Sequence, residues 1–196
     1  MILVIKKCFI VTVIILFFVQ AGFCKTSDEQ QDAINKIKYM NYNYSEYGFN
    51  IAIKKGRKDV VELFLDSGMS ANTTVTGQPM TFSAILFSQN DILDFLLTKG
   101  ADINAIYNSY NLLTFAIYRG NVGAIDVLIK HNFDINKPNS SVLPIDYAIS
   151  INDAGVVSKL LSGGAVVNKE TYKRSQNSSN PLIKNSVKDA YYKNSD

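Results

Sequence analysis

The sequence predicts an all-α protein in which short helix-turn-helix units stack in a row as a solenoid. Three observations predict this fold. The dipeptide Ala–Ile begins at positions 52, 84, 116 and 148, so its copies are evenly spaced. The blocks that start there align without a gap, and each ends at an asparagine: Asn72, Asn104, Asn136 and Asn168. A repeat step of roughly 20 to 50 residues is typical of solenoids and similar arrays.

Each block contains the pattern of two short helices. In the second block, "ILDFLL" (92–97) is apolar around most of a helix, so the helix must be buried on more than one side. Stacking against neighbouring blocks provides that burial. The small alanine of each Ala–Ile pair allows two helices to approach closely. Glycine or asparagine at positions 68, 100, 132 and 164 suits the left-handed backbone at the end of a helix.

These blocks resemble the ankyrin repeat. "LPIDYAI" (143–149) is similar to that family's T-P-L-H-x-A signature, and "KGADINA" (99–105) is similar to its G-A-D-x-N turn. Weaker versions are "NLLTFAI" (111–117) and "YGFNIAI" (47–53). The resemblance covers 47–170 as four full repeats and implies helical pairs joined by short β-hairpin-like fingers. The signature histidine is replaced by Asn50, Phe82, Thr114 and Asp146.

The segment 1–24 is expected to be a signal peptide. Lys6 and Lys7 precede the apolar run 8–19, and small residues follow it, as in a secretory leader. Cleavage after Cys24 or after Ala21 fits this pattern. One alternative is an uncleaved membrane anchor, because the run 8–24 reaches the lower limit of about 17 residues for a membrane span. Another is a lipidated Cys24, although lipoprotein signals place a small residue where Phe23 stands.

Both flanks of the repeats are expected to cap the solenoid, whose ends need polar outer faces. Residues 25–46 predict an N-terminal capping helix, with Ser27 and Gln30 as a capping box. Residues 171–196 predict a polar loop (174–181) and a C-terminal capping helix, or a degenerate repeat. Asn180 followed by Pro181 is typical of a helix start.

The composition argues against an enzyme and against nucleic-acid binding. The formal net charge is only +3, without the basic excess of a nucleic-acid-binding protein. Both cysteines, Cys8 and Cys24, lie in the leader, and the one histidine, His131, stands at a turn that the family exposes to solvent. The sequence contains no Gly-rich phosphate loop and no Cys/His cluster. We therefore expect no catalytic residues, no metal site and no cofactor.

Residues that the scaffold does not need are the candidates for binding. By resemblance, the finger tips and the ends of the first helices line a concave surface that contacts a partner. The tips are expected at 74–78, 106–110 and 139–142. Aromatic residues and arginine are favoured at interface hot spots. Five such residues occupy these positions: Phe87, Tyr107, Tyr110, Tyr118 and Arg119. The alternative is that Tyr107 and Tyr110 pack on each other as part of their finger.

The sequence therefore predicts a monomeric, non-enzymatic module that binds another protein outside the cytoplasm, in the periplasm or after secretion. Small exported ankyrin proteins of bacteria often accompany a secreted enzyme, so the resemblance implies an inhibitor, immunity or accessory role. The alternative is a membrane-tethered scaffold that organises an envelope or endomembrane assembly. An uncleaved leader would favour that alternative.

Overall fold

The computed structural model describes residues 25–193, which form eleven helices and two short β-hairpins. The helices are α1 (Ser27–Tyr39), α2 (Glu46–Lys54), α3 (Lys58–Asp66), α4 (Met80–Leu86), α5 (Asn90–Thr98), α6 (Leu112–Tyr118), α7 (Val122–Lys130), α8 (Pro144–Ser150), α9 (Ala154–Ser162), α10 (Lys169–Gln176) and α11 (Pro181–Lys193). The expected signal peptide lies outside the described residues. The structure confirms the predicted all-α solenoid of helix-turn-helix units.

The helices form two layers. The first helices of the units, α2, α4, α6, α8 and α10, each contact the next along one layer, and α3, α5, α7, α9 and α11 do so along the other. The capping helix α1 packs on α3 and so extends only the second-helix layer. In the part of the chain that the structure describes, no helix is both long and apolar enough to cross a membrane.

Fingers connect the first four units. Strands β1 (Thr74–Val75) and β2 (Gln78–Pro79) form the first finger, and β3 (Ile106–Tyr107) and β4 (Tyr110–Asn111) form the second. A single bridge between Asn139 and Val142 closes the third. Both central residues of every tip have positive φ, for example 49° at Asn108 and 66° at Ser109. This is the two-residue hairpin turn that matches the natural twist of strands.

The recurring Ala–Ile pairs lie at the centre of the core. The four alanines are fully buried, and the four isoleucines are at most 4% exposed. One hydrophobic cluster runs without interruption from Ile37 in α1 to Val187 in α11. Each unit therefore contributes to a common core that it cannot form alone, which is how repeat arrays gain their stability.

Asparagines at the ends of the blocks link neighbouring repeats. The Asn72 side chain donates to the carbonyl of Gly100 (3.2 Å) and accepts from the amide of Asp102 (2.7 Å). The Asn136 side chain makes the same pair of bonds two junctions later, to Gly164 and Val166. These bonds satisfy main-chain groups of the following turn and fix the spacing between units.

Two predictions about the ends are wrong in detail. The N-cap of α1 is Thr26 with Glu29 as its capping-box partner, one position before the predicted Ser27 and Gln30. The predicted polar loop is partly helical, because α10 runs to Gln176 and leaves only 177–180 as the connection. Asn180 does cap the last helix, since its side chain accepts from the amide of Leu182 (3.0 Å).

Candidate functional site

The side of the array on which the fingers meet the first helices is called the inner face. Aromatic rings form a connected cluster on this face. The aromatic cluster consists of Phe82, Tyr107, Tyr110, Phe115, Tyr118 and Tyr147. The ring of the fully buried Phe82 lies 5.7 Å from Tyr107 and 5.2 Å from Phe115, between ring centroids. These distances and the tilted orientations are those that aromatic pairs prefer.

The cluster continues from the core to the surface. Tyr110 contacts Phe115 (6.1 Å between centroids) and Tyr118 (5.6 Å), and Tyr118 is 55% exposed. Tyr147 adjoins the same group from the next repeat. Burial, and then the neighbouring Tyr110 and Tyr118, raise the pKa of the Tyr147 hydroxyl. Packing against the partly buried Tyr110 and Phe115 fixes the orientation of the exposed Tyr118 ring before any partner arrives.

A cavity of about 320 Å³ opens beside the cluster, between the second and third fingers. Its lining combines Tyr110, Thr114, Val142 and Tyr147 with the polar finger-tip residues Asn108, Ser109, Asn139 and Ser140. The Asn139 side chain donates to the carbonyl of Ser109 (2.9 Å) and joins the two fingers that border the cavity. The volume falls at the lower end of the range for ligand pockets.

Charges on the inner face are few and mostly positive. Helices α4, α6 and α8 carry one charged side chain between them, Asp146, which is mostly buried and lies 3.7 Å from Arg174. Arg119 is exposed and forms no ion pair with any of residues 25–193. Lys54 lies 5.5 Å from the ring centroid of Phe87, and Lys55 lies 5.4 Å from that of Tyr42. Such contacts leave the ammonium charge available to a partner.

The expectation of an exposed turn at His131 is wrong. Its Nε2 atom lies 2.7 Å from Asp94 Oδ1 of the preceding repeat, and its side chain is 21% exposed. Lys130 contacts the same carboxylate at 2.8 Å. Hydrogen bonds from Lys130 and then His131 lower the pKa of Asp94. The three side chains link α5 to α7 in the second-helix layer, away from the fingers, so they form a structural contact between repeats.

Residues 81–129 match a family model described as ankyrin repeats (many copies). This stretch spans α4 to α7 and contains most of the aromatic cluster. Residues 81–129 therefore contain ankyrin repeats, and the stacked helical pairs on either side are consistent with the same solenoid. A search of curated proteins finds no match.

Ankyrin repeats are protein–protein interaction modules. A partner site is therefore expected on the inner face of this array. Of the five residues predicted from sequence, the structure brings Tyr107, Tyr110 and Tyr118 into the aromatic cluster. Arg119 follows Tyr118 at the end of α6. Phe87 lies at the corresponding end of α4 and contacts Lys54 instead.

Tyr107 and Tyr110 are backbone partners across the second finger, but their rings pack elsewhere. Tyr107 contacts Phe82 of the preceding repeat, whereas Tyr110 contacts Phe115 and Tyr118 of its own repeat. Both tyrosines are partly buried, so each serves the fold while part of its ring stays accessible. Tyr118 is the most exposed ring of the aromatic cluster.

Sequence reasoning missed three members of the cluster, Phe82, Phe115 and Tyr147. Phe115 and Tyr147 occupy the same position of successive ankyrin repeats, each directly before the alanine of an Ala–Ile pair. Comparing that position across repeats gives Ile51, Ser83, Phe115 and Tyr147, so an aromatic pair in the third and fourth repeats was a signal for this site. Within residues 25–193, no group of three His, Cys, Asp or Glu side chains is placed to hold a metal ion.

Proposed function

We propose that this ankyrin array binds one protein partner through the inner face of its second to fourth repeats, outside the cytoplasm. The observation that supports this site is the aromatic cluster, in which the exposed Tyr118 packs on the partly buried rings of Tyr110 and Phe115, and Phe115 packs on the fully buried Phe82. Tyrosine brings a large contact area and loses little rotamer freedom on binding, so it is favoured at interface hot spots. Arg119 adds a charged group beside it.

The proposed location follows from the leader, whose basic start, apolar run and small-residue exit are typical of secretion. An exported binding module of this size suits an inhibitor, immunity or accessory protein that holds a secreted enzyme. The aromatic cluster offers contact area and no arrangement for chemistry, so we assign the site to binding and not to catalysis.

Capture of the partner tests the site. The full chain is used as bait against the envelope and extracellular fractions of the producing organism, alongside the double variant Tyr118→Ala with Arg119→Ala. A true hot spot contributes about 2 kcal/mol or more, so the variant should lose about 30-fold in affinity. Its melting temperature should fall by only a few degrees.

A matched control is Tyr192→Ala with Lys193→Ala in α11. Tyr192 is 53% exposed and packs edge-on against Tyr191, so its surroundings resemble those of Tyr118. The control should retain the partner. Equal capture by both double variants would show that the partner binds elsewhere on the array.

The N-terminus of the protein isolated from cells tests the location. A chain that begins at residue 22 or 25 supports export and release. Retention of 1–24 in a membrane fraction would instead support the alternative function, a tethered scaffold for an envelope or endomembrane assembly, for which the apolar run 8–24 is the supporting observation.

A further inference from the structure

The cavity between the second and third fingers has walls suited to one apolar side chain. Rings of Tyr110 and Tyr147 and the aliphatic Val142 provide apolar surface, and no charged side chain of the described residues lines the space. Thr114 directs its hydroxyl to Asn111 within its own helix cap (2.9 Å to Oδ1). Asn108, Ser109, Asn139 and Ser140 of the finger tips complete the lining with polar groups. An ionised group entering this cavity would find no oppositely charged side chain to offset its lost hydration, which disfavours it.

The cavity is preformed. Its two fingers are joined by the hydrogen bond from Asn139 to Ser109, and the Tyr110 ring that lines it is held by contacts with Phe115 and Tyr118. A preformed pocket avoids the entropy cost of ordering its walls at the moment of binding. The finger tips at its rim offer main-chain groups to an extended segment.

The charged side chains near the cavity indicate which charge a ligand should carry. Tyr118 contacts Tyr110, which lines the cavity, and Arg119 follows Tyr118 at the end of the same helix. Lys54 and Lys55 stand at the equivalent position of the first repeat and contact rings, not carboxylates. Asp146, the one carboxylate on α4, α6 and α8, is mostly buried and faces Arg174. Asp153 is the carboxylate nearest Arg119: one of its oxygens accepts from the amide of Val156, and the other lies beside Gly120. Arg119, Lys54 and Lys55 outnumber it, so the net accessible charge along this edge is positive.

We propose that the cavity takes one apolar side chain from an acidic, extended segment of the partner protein, and that carboxylates flanking this side chain pair with Arg119 and, further along, with Lys54 and Lys55. The proposal rests on the proposed function and specifies the chemistry of its ligand. Opposite charges steer such a segment to the groove and fix its register, while the buried side chain supplies most of the affinity.

Selection from a random library of displayed peptides tests the proposal, with the full chain as target. Enriched peptides should be acidic overall and should place a Leu, Ile, Met or Phe close to an Asp or Glu. Binding of the best peptide, made synthetically, is then measured against two variants. Val142→Trp fills the cavity and Arg119→Glu reverses the nearby charge, and each should weaken binding at least tenfold.

Two controls separate these effects from general damage. Val166→Trp places the same bulky residue at another exposed valine, and Lys188→Glu reverses an exposed charge on α11. Both should bind the peptide as well as the natural sequence. Binding to Arg119→Glu should also regain strength when the acidic residues of the peptide are changed to lysine.

The outcomes distinguish this proposal from the proposed function. Peptides that depend on Tyr118 but tolerate Val142→Trp and Arg119→Glu would overturn the cavity and charge assignment while leaving the inner face as the binding surface. Peptides insensitive to Tyr118→Ala as well would contradict both. A basic or neutral consensus, or no enrichment at all, would overturn the proposed ligand chemistry.

Discussion

Asn121 donates its side-chain N–H to the main-chain carbonyl of Ile85, 3.1 Å away in the preceding repeat. The oxygen of the same side-chain amide accepts from the main-chain N–H of Ala124 (2.9 Å) and so caps α7. Asn121 is buried, so water has little access to these groups. Its one side chain therefore supplies hydrogen bonds to a main-chain N–H at the start of α7 and to a main-chain carbonyl of the neighbouring unit.

We expect Asn121→Ala to lower the free energy of unfolding by about 1–3 kcal/mol, because it removes a helix cap and one of the two hydrogen bonds that the Ile85 carbonyl accepts, the other coming from the Ser88 amide (3.1 Å). Gln89 occupies the same position one repeat earlier, without a side-chain cap bond, so Gln89→Ala should change stability by at most about 0.5 kcal/mol. Urea denaturation of the two variants measures both values. Equal losses would contradict the role assigned to the Asn121 bridge.

Ala116→Leu should destabilise the array by about 1–3 kcal/mol. Ala116 is fully buried where α6 meets its neighbours, and a larger side chain would force the helices apart. Lys55→Ala is the comparison: this exposed lysine contributes only its contact over the Tyr42 ring, worth about 0.5–1 kcal/mol. Thermal unfolding should rank the two variants clearly, and a smaller effect at Ala116 would refute the packing.

We expect substitutions in the aromatic cluster to differ in their effect on stability, because some of its rings are buried and others are exposed. Phe82→Ala removes a fully buried ring that holds Tyr107 and Phe115, and we expect a loss of about 3–5 kcal/mol. Tyr118→Ala removes an exposed ring and its contact with Tyr110, with a loss of about 0.5–1.5 kcal/mol. A melting curve for Tyr118→Ala that collapses like that of Phe82→Ala would mean that Tyr118 serves the fold.

The contact of Asp94 with Lys130 and His131 makes one junction sensitive to acid. The pKa of Asp94 is lowered in the folded protein from its ordinary value of 3.8, first by the Lys130 hydrogen bond. A carboxyl with a depressed folded pKa stabilises the fold when ionised, and that contribution is lost as the pH falls through the folded pKa. Asp94→Asn should therefore melt below the natural protein at pH 7, and the difference should vanish in strong acid.

Asp126→Asn is the matched control for Asp94. Asp126 occupies the same position one repeat later and contacts Lys159 at 2.9 Å. Its side chain is 55% exposed, and exposed ion pairs contribute little. The control should therefore show the smaller loss at pH 7. A pH-independent difference between Asp94→Asn and the natural protein would exclude the ionic explanation.

The repeated part of the fold was predictable because its chemistry is periodic. Each Ala–Ile pair and each apolar second helix recurs at the same spacing, and every alanine and isoleucine of those pairs is buried as expected. The C-terminal unit was not predictable in the same way. Helix α10 buries only Thr171 and Ser175, so its sequence shows no apolar stripe that would distinguish a helix from a polar loop.

The same residue type at one repeat position can make different contacts in different repeats. Asn72 and Asn136 bridge to the next turn, which contains Gly100 or Gly164. The Asn104 amide oxygen instead accepts from Lys137 (3.2 Å), where the next turn has Asn132. These differences depend on the neighbouring unit, so one repeat read alone does not reveal them. The aromatic cluster escaped full prediction for the same reason, because Phe82 and Tyr147 join it from adjacent repeats.

The short connection between α9 and α10 makes the two ends of the inner face different. Each of the three earlier junctions carries a finger, whereas 163–168 forms only a turn. An extended partner segment in the groove, as proposed above, would therefore meet a finger at the first three junctions and none at the fourth. A partner whose own sequence is repetitive would otherwise fit several equivalent repeats in either polarity. The missing fourth finger would remove that degeneracy and would favour one orientation and one register for such a partner.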